Sequence, residues 1–513
     1  MHDDPQNPLS NADDPWNAAG LESSLDAVEM NSDSDSMLRP AVDPLMQQPH
    51  KIGPTGHPVI AWCVVLLLIA VILGASLLKT KPVATSVDPA ALVILEIQSK
   101  YLIGAVELFE MPRQMALQQA EVFDNGPVRN RLCFVALIGE LGGPQRALQK
   151  LSELRDPAGD FGLDAMSATD RTIERNLSDL YRELLAERWD APALTVDQRK
   201  QLRSELNWFG QLALAPREGD AVARAKLTRQ CRRVVIVVLA AAVLAIGLGV
   251  IGLFALPTMV ILAVMRVVNF RLRPSRHGGV YAETFAVWMG LFLLSGLAIE
   301  LLAGDQLSLN LVGFVISGAA LGWPVMRGIG WSEVRHEVGL FGGRRWYLEP
   351  VCGLISYVCT LPLVGLALLL IVVLMQAGGL PLAQADLNTS ELPTHPIVEW
   401  VKDAGPWGRF QILLIACCAA PVLEETMFRG VLYRHLRDAT AGWKMGLSVC
   451  ISVGINSLIF AAIHPQGLLA IPALTALAAG FSLAREWRGS LIAPMTAHAM
   501  NNLLVTTVLL LIV

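Results

Sequence analysis

The run "PVIAWCVVLLLIAVILGASLL", residues 58–78, decides the class of this chain. It carries no charge, and at about 1.5 Å per residue a helix of this length spans the roughly 30 Å hydrocarbon core of a bilayer. It begins far from the N-terminus and lacks a small-residue cleavage motif, so residues 57–79 read as a retained signal anchor. Apolar runs of similar length recur at 234–263, 282–302, 308–326, 350–375, 409–432, 446–463, 467–483 and 490–513. Composition agrees. Of the 513 residues, 53% are hydrophobic and 17% charged, whereas a soluble chain carries about a quarter charged. The expected fold is all-α, a multi-pass transmembrane helix bundle of about eight or nine spans.

Two segments break the pattern. Residues 1–56 are rich in Asp, Asn, Ser and Pro and poor in large apolar residues, so they read as a disordered acidic tail. Residues 80–232 carry Arg, Glu and Leu at helical spacing, as in "TDRTIERNLSDLYRELLAERW" (169–189), where Leu177, Leu180, Leu184 and Leu185 recur at steps of three and four. They read as a soluble, mostly helical domain inserted after the first span. "GGPQRALQK" within it reads as a turn before a helix. Residues 233–513 form the membrane domain.

The loops suggest an orientation. Arg266, Arg271, Arg273 and Arg276 share one loop, and Arg327, Arg335, Arg344 and Arg345 share another. Arg434, Arg437 and Lys444 form a third and Arg485 and Arg488 a fourth, while the alternate connections hold Asp305, or Asp386, Glu391, Glu399 and Asp403 against Lys402. The positive-inside rule puts the arginine loops and the N-terminal tail in the cytoplasm, with the 80–232 domain and the C-terminus outside. Arg229, Arg232 and Arg233 resist this placement, and a hairpin over 234–270 would move the domain inside. The net charge of −5 and the lack of a basic tract exclude a nucleic-acid partner. Of eight cysteines, six lie in or beside apolar runs, and Cys133 and Cys231 lie in polar sequence where they could pair.

Against this apolar background stands "CCAAPVLEETMFRGVLYRHLR", residues 417–437. Charges in hydrocarbon cost at least a few kcal/mol each and mark function or pairing. On a helix Glu425 and Arg429, four apart, share a face and pair. Glu424, turned about 100° away, is left over. Two more polar groups sit in later spans: His464 closes "NSLIFAAIHPQG", with Phe460 and Asn456 on its face, and His498 and Asn502 lie four apart in "GSLIAPMTAHAMNNLL". Singly, these read as an ion pair, a helix-end histidine and interhelical glue. Together, a carboxylate, two imidazoles and an amide can drive acyl cleavage by water. Glutamate acts as general base, imidazoles hold a metal or orient the water, and an amide stabilises the oxyanion. Straight helices put the groups at unequal heights: Glu424 about 18 Å above Arg437, His498 about 13 Å above Ser490 and His464 about 27 Å above Gly446. Tilt or a re-entrant helix must close that gap. His336-Glu337 is not an HExxH motif, and His277, His395 and His435 read as loop residues.

The series "EETMFR" (424–429), "FAAIH" (460–464) and "HAMNN" (498–502) resembles the EExxxR, FxxxH and HxxxN signature of the CAAX protease and bacteriocin-processing (ABI) family of intramembrane proteases. The likeness covers about 405–513, with Gly489, Ser490, Leu491 and Pro494 also in step. It implies an intramembrane endopeptidase, CAAX prenyl protease-like, in a bacterial inner membrane, acting on membrane-associated proteins or peptides. Glu424 would activate water, helped by His464. Glu425 and Arg429 would support the helix, and His498 and Asn502 would polarise the scissile carbonyl and stabilise its oxyanion. The family is named for metalloproteases, which implies zinc on His464 and His498, with Glu424 a possible third ligand; a metal-free glutamate and histidine mechanism is the other reading. Family members trim prenylated CAAX proteins or act in bacteriocin self-immunity. The N-terminal tail and the 80–232 insert depart from the plain family and point to substrate presentation or regulation. The competing readings are a non-enzymatic scaffold or immunity protein and an ion-coupled transporter.

Overall fold

The computed structural model describes residues 55–79, 89–124, 126–155, 166–189, 194–268, 272, 275, 277–303, 307–342, 345–376, 397–402 and 404–513. Among these residues there is no strand, and nine helices are long and apolar enough to cross a membrane. The chain is an all-α multi-pass helix bundle. The expected disordered tail lies outside the described residues apart from its last two positions. So do Arg271, Arg273, Arg276, Arg344, Asp305, Asp386, Glu391, His395 and Asp403.

Helix α1 (Pro58–Lys79) is the first candidate span. Seven helices follow: α2 (Pro89–Phe109), α3 (Arg113–Ala120), α4 (Val128–Gly142), α5 (Pro144–Arg155), α6 (Ala168–Leu185), α7 (Val196–Glu205) and α8 (Trp208–Ala213). They enclose one apolar core built on Leu102, Phe134, Leu137, Leu177, Leu202 and Phe209. Leu177, Leu180 and Leu184 face this core as their spacing requires, whereas Leu185 is 51% exposed. Local capping starts the helices. Ser167 accepts from Asp170 N at 3.0 Å, and Thr195 and Gln198 form a reciprocal capping box. Two partly buried charge clusters tie the bundle: Arg129 donates to Asp170 and Glu205, each at 2.7 Å, and Glu140 accepts from Arg217 at 2.7 Å and Arg224 at 2.6 Å.

Helix α9 (Ala221–Val264) joins the two parts. Its 44 residues rise about 66 Å, twice the hydrocarbon core, so it cannot lie wholly within a membrane. Asp220 caps its N-terminus through Val222 N at 2.9 Å. Leu227 and Cys231 are buried in the α2–α8 core, while Val243, Ile246, Val250 and Phe254 are exposed as a lipid-facing stripe. The helix is continuous, which overturns the hairpin alternative over 234–270. Arg229, Arg232 and Arg233 lie on its polar N-terminal third, where Arg232 faces Glu107 at 3.9 Å. Cys133 and Cys231 are both buried free thiols, so the possible disulfide is not formed.

The remaining helices are α10 (Gly278–Ala303), α11 (Leu307–Met326), α12 (Trp331–Val338), α13 (Glu349–Gln376), α14 (Ile397–Lys402), α15 (Pro406–Ala439), α16 (Met445–Ala462), α17 (Ile471–Arg488) and α18 (Ile492–Ile512). One end of the bundle gathers the starts of α1, α10, α13 and α18 and the ends of α15 and α17. His57 N donates to Glu283 at 2.6 Å, Arg488 pairs with Glu349 at 2.7 Å, Arg437 with Glu486 at 3.0 Å, and Leu491 N reaches Gly339 O at 3.0 Å. The α2–α8 helices attach at the other end, where α14 packs on α2 and α18. One expectation is corrected here. Arg434, Arg437, Arg485 and Arg488 are not solvated loop charges; they are helical and buried. Desolvating a guanidinium requires partners, which carboxylates and backbone carbonyls supply. His435 is likewise helical and buried, accepting from Trp62 Nε1 at 2.9 Å and donating from Nδ1 to Gly278 O at 2.7 Å.

Candidate active site

Helix α15 is not uniform. It contains π-helical turns at Ile415–Ala419 and Thr426–Leu432, with one α-helical stretch, Ala420–Glu425, between them. Pro421 accounts for the first. It has no N–H for the carbonyl four residues back, and its ring crowds that carbonyl, so the preceding turn widens. Glu424 and Glu425 end the α-helical stretch and are held between two widened turns.

Glu425 and Arg429 pair as their spacing predicts, Nη1 to Oε1 at 3.0 Å, both fully buried. Arg429 Nη2 also donates to Ala478 O on α17 at 3.0 Å. Its guanidinium carbon lies 4.6 Å from the Phe460 ring centroid, 5.3 Å from Phe481 and 5.8 Å from Phe428. Such a desolvated cation over aromatic faces gains from each ring quadrupole. From α18, His498 Nδ1 lies 2.8 Å from the same Glu425 Oε1. The carboxylate accepts the Nδ1 proton, which turns His498 Nε2 to within 3.9 Å of Glu424 Oε2. The Phe481 ring stacks on His498 at 5.1 Å and 19°.

His464 approaches from the end of α16. Its Nδ1 lies 2.5 Å from Phe460 O, and because a carbonyl only accepts, Nδ1 carries the proton. Its Nε2 then faces Glu424 Oε2 at 3.7 Å, with the Phe460 ring 4.1 Å below the imidazole. Glu424 Oε2 is buried and has no hydrogen-bond partner in the chain. Helix packing thus removes the unequal heights expected from straight helices. Glu424, Glu425, Arg429, His464 and His498 meet. Asn502 lies one turn beyond His498, and its Nδ2 donates to Ala416 O in the first π turn at 2.8 Å. Asn456 lies outside the constellation and donates to Ser482 Oγ at 3.0 Å.

A tetrahedral zinc holds its donors about 2.0–2.3 Å from itself. Among the described residues, the one set of three ligating side chains whose donor atoms all fall within 4.8 Å of one another is His277, Glu333 and Glu337. Around Glu424, His464 Nε2 and His498 Nε2 lie 3.7 and 3.9 Å from Oε2, but the three donors do not all fall within 4.8 Å of one another. What they surround is an unpaired carboxylate oxygen facing two imidazole nitrogens.

Phe428, Phe481, the Ala478 and Ala416 carbonyls and Arg485 were not legible as site residues. Arg485 is buried and donates to Glu337 O and Val338 O at 3.0 Å each and to Arg429 O at 3.3 Å, pinning α12 against the Glu425 helix. Only Pro421, just before the glutamate pair, carried a sequence signal of the local distortion.

Residues 406–504 match the family model described as Type II CAAX prenyl endopeptidase Rce1-like. No curated protein and no solved structure matches the chain. All the converging residues, and Asn502, fall in the matched segment. These residues thus carry the likeness to the CAAX protease and bacteriocin-processing family.

Proposed function

We propose that the protein is an intramembrane endopeptidase that hydrolyses peptide bonds of membrane-associated proteins or peptides by glutamate-activated water. The observation that carries the reading is Glu424 Oε2, buried, without a hydrogen-bond partner, and faced by two imidazole Nε2 atoms at 3.7 and 3.9 Å. A water there meets an acceptor on each side. Glu424 takes its proton as the oxygen attacks the scissile carbonyl carbon, and returns it to the leaving amine when the tetrahedral intermediate collapses. His464, fixed by Phe460 O, orients the water through its unprotonated Nε2.

His498 stabilises the oxyanion. Glu424 and Glu425 bring two negative charges against one guanidinium, Arg429, and a protonated His498 balances them. Its Nε2 proton then points into the site as a charge-assisted donor. Asn502 supplies a second donor from the amide hydrogen not given to Ala416 O. No step is assigned to a metal.

The N-terminal tail and the α2–α8 helices belong to opposite faces of the membrane, with the tail cytoplasmic and the 80–232 domain outside. This rests on the opposed ends from which α1 begins and α9 enters the bundle. The domain stands at the α14–α15 entrance to the catalytic helix, a place suited to presenting substrate.

The test compares membrane peptidomes of cells carrying wild type and Glu424→Gln, followed by cleavage of the accumulating substrate by purified protein. Loss of a defined product set with Glu424→Gln supports the protease. Identical peptidomes for wild type, Glu424→Gln and His464→Ala would leave the scaffold reading in its place.

A further inference from the structure

We propose that His277, Glu333 and Glu337 form a divalent-cation site at the arginine-rich end of the bundle, separate from the Glu424 constellation. Their donor atoms all lie within 4.8 Å of one another, with His277 Nε2 3.2 Å from Glu333 Oε1. His277 precedes α10, and both glutamates belong to α12, four residues apart on one face. Like charges at that spacing repel each other, and a cation between them removes the repulsion.

The local charge count points the same way. Glu337 and Asp438 share the guanidinium of Arg434, which stands 3.8 Å from both Glu337 Oε1 and Asp438 Oδ2. Neither separation is a hydrogen bond. Asp438 Oδ2, on a side chain 5% exposed, has no hydrogen-bond partner in the chain. Asp438 borders the same loop: its Oδ1 accepts Ser275 N at 2.5 Å, and Ser275 Oγ accepts His277 N at 3.0 Å. The cluster therefore sets a buried carboxylate oxygen without a hydrogen-bond partner beside three convergent donors.

The supporting groups resemble a metal surround. Tyr281 OH donates to Glu337 Oε2 at 2.5 Å and fixes that carboxylate. His277 and Glu337 side chains are 3% and 2% exposed, while Glu333 is 34% exposed and opens the site to solvent. One imidazole and two carboxylates, with water completing the shell, suit a first-row divalent ion such as zinc or manganese. The ion would tie α12 to α10. Through Arg485, which holds the Glu337 and Val338 carbonyls, it would also brace the catalytic helix.

The test uses full-length protein in detergent, stripped by a chelator and titrated separately with zinc and manganese by calorimetry, with thermal unfolding followed in parallel. Wild type should take up one equivalent of either ion and unfold at higher temperature with it. Glu333→Gln and His277→Asn should weaken uptake at least about tenfold, and Glu424→Gln should bind as wild type does. Glu333→Gln decides if Glu337→Gln fails to fold, because Glu333 lies at the rim. No uptake by wild type overturns the proposal. So does uptake unchanged by Glu333→Gln, or uptake lost only with Glu424→Gln.

Discussion

His498 Nδ1 and Arg429 Nη1 share one oxygen, Glu425 Oε1, at 2.8 and 3.0 Å. Glu425 therefore does more than brace its own helix. It sets the tautomer and direction of an imidazole from α18, 73 residues away in sequence, and so decides which nitrogen faces Glu424.

Glu425→Ala should cost about 3–5 kcal/mol, because it leaves Arg429 buried without its carboxylate. Glu425→Gln keeps the shape and should destabilise less, yet still slow cleavage about 10- to 100-fold through a misdirected His498. Thermal unfolding and cleavage rates of the two variants, measured side by side, separate the effects.

Glu424→Gln should leave unfolding unchanged and lower kcat about 100- to 10,000-fold, the usual contribution of a general base. A fall in KM alone, with kcat preserved, would argue against this role.

In the Glu333→Gln background chelators should leave cleavage unaffected, since the donors around Glu424 are not assigned to a metal. His464→Gln should cost kcat and not metal content. Activity lost to a chelator and restored by zinc in the Glu333→Gln background would place a metal at Glu424 instead.

Gly430 packs against α12, where an added methyl would meet Val338 Cγ1 and its carbonyl oxygen at 3.0 Å. Gly430→Ala should therefore destabilise by about 1–3 kcal/mol. Relief by a second substitution, Val338→Ala, checks the cause.

Burial pushes the Cys133 thiol from its ordinary value of 9.0 up to about 12. It should resist alkylation at pH 8 in the folded protein and react on unfolding. The unfolded chain releases this proton near 9 and the folded chain only near 12. The unfolded state then binds fewer protons, so stability should fall as pH rises through that window. Cys133→Ala should flatten that part of the curve.

Much of the architecture was legible. Spans can be read from hydropathy because each helix meets lipid along its own length and satisfies its backbone internally. The Glu425–Arg429 pair was legible for a similar reason: its partners are one turn apart. The arginines of α15 and α17 were misread, since composition cannot tell a solvated loop charge from one buried against Glu337, Glu349 or Glu486. The extent of α9 was misread too, because its polar third and its lipid-facing stripe belong to one helix.

By itself, then, the sequence determined a helical membrane protein with a charged motif series and singled out Glu424, His464 and His498 as candidate reactive groups. Only the tertiary structure decided that these groups meet, that Glu425 orients His498, that Asn502 holds a π turn, and that His277 joins Glu333 and Glu337. The reason is physical. Insertion and i,i+4 pairing depend on neighbours along the chain, whereas the direction of an imidazole and the closure of a donor set depend on helices that meet only when the bundle packs.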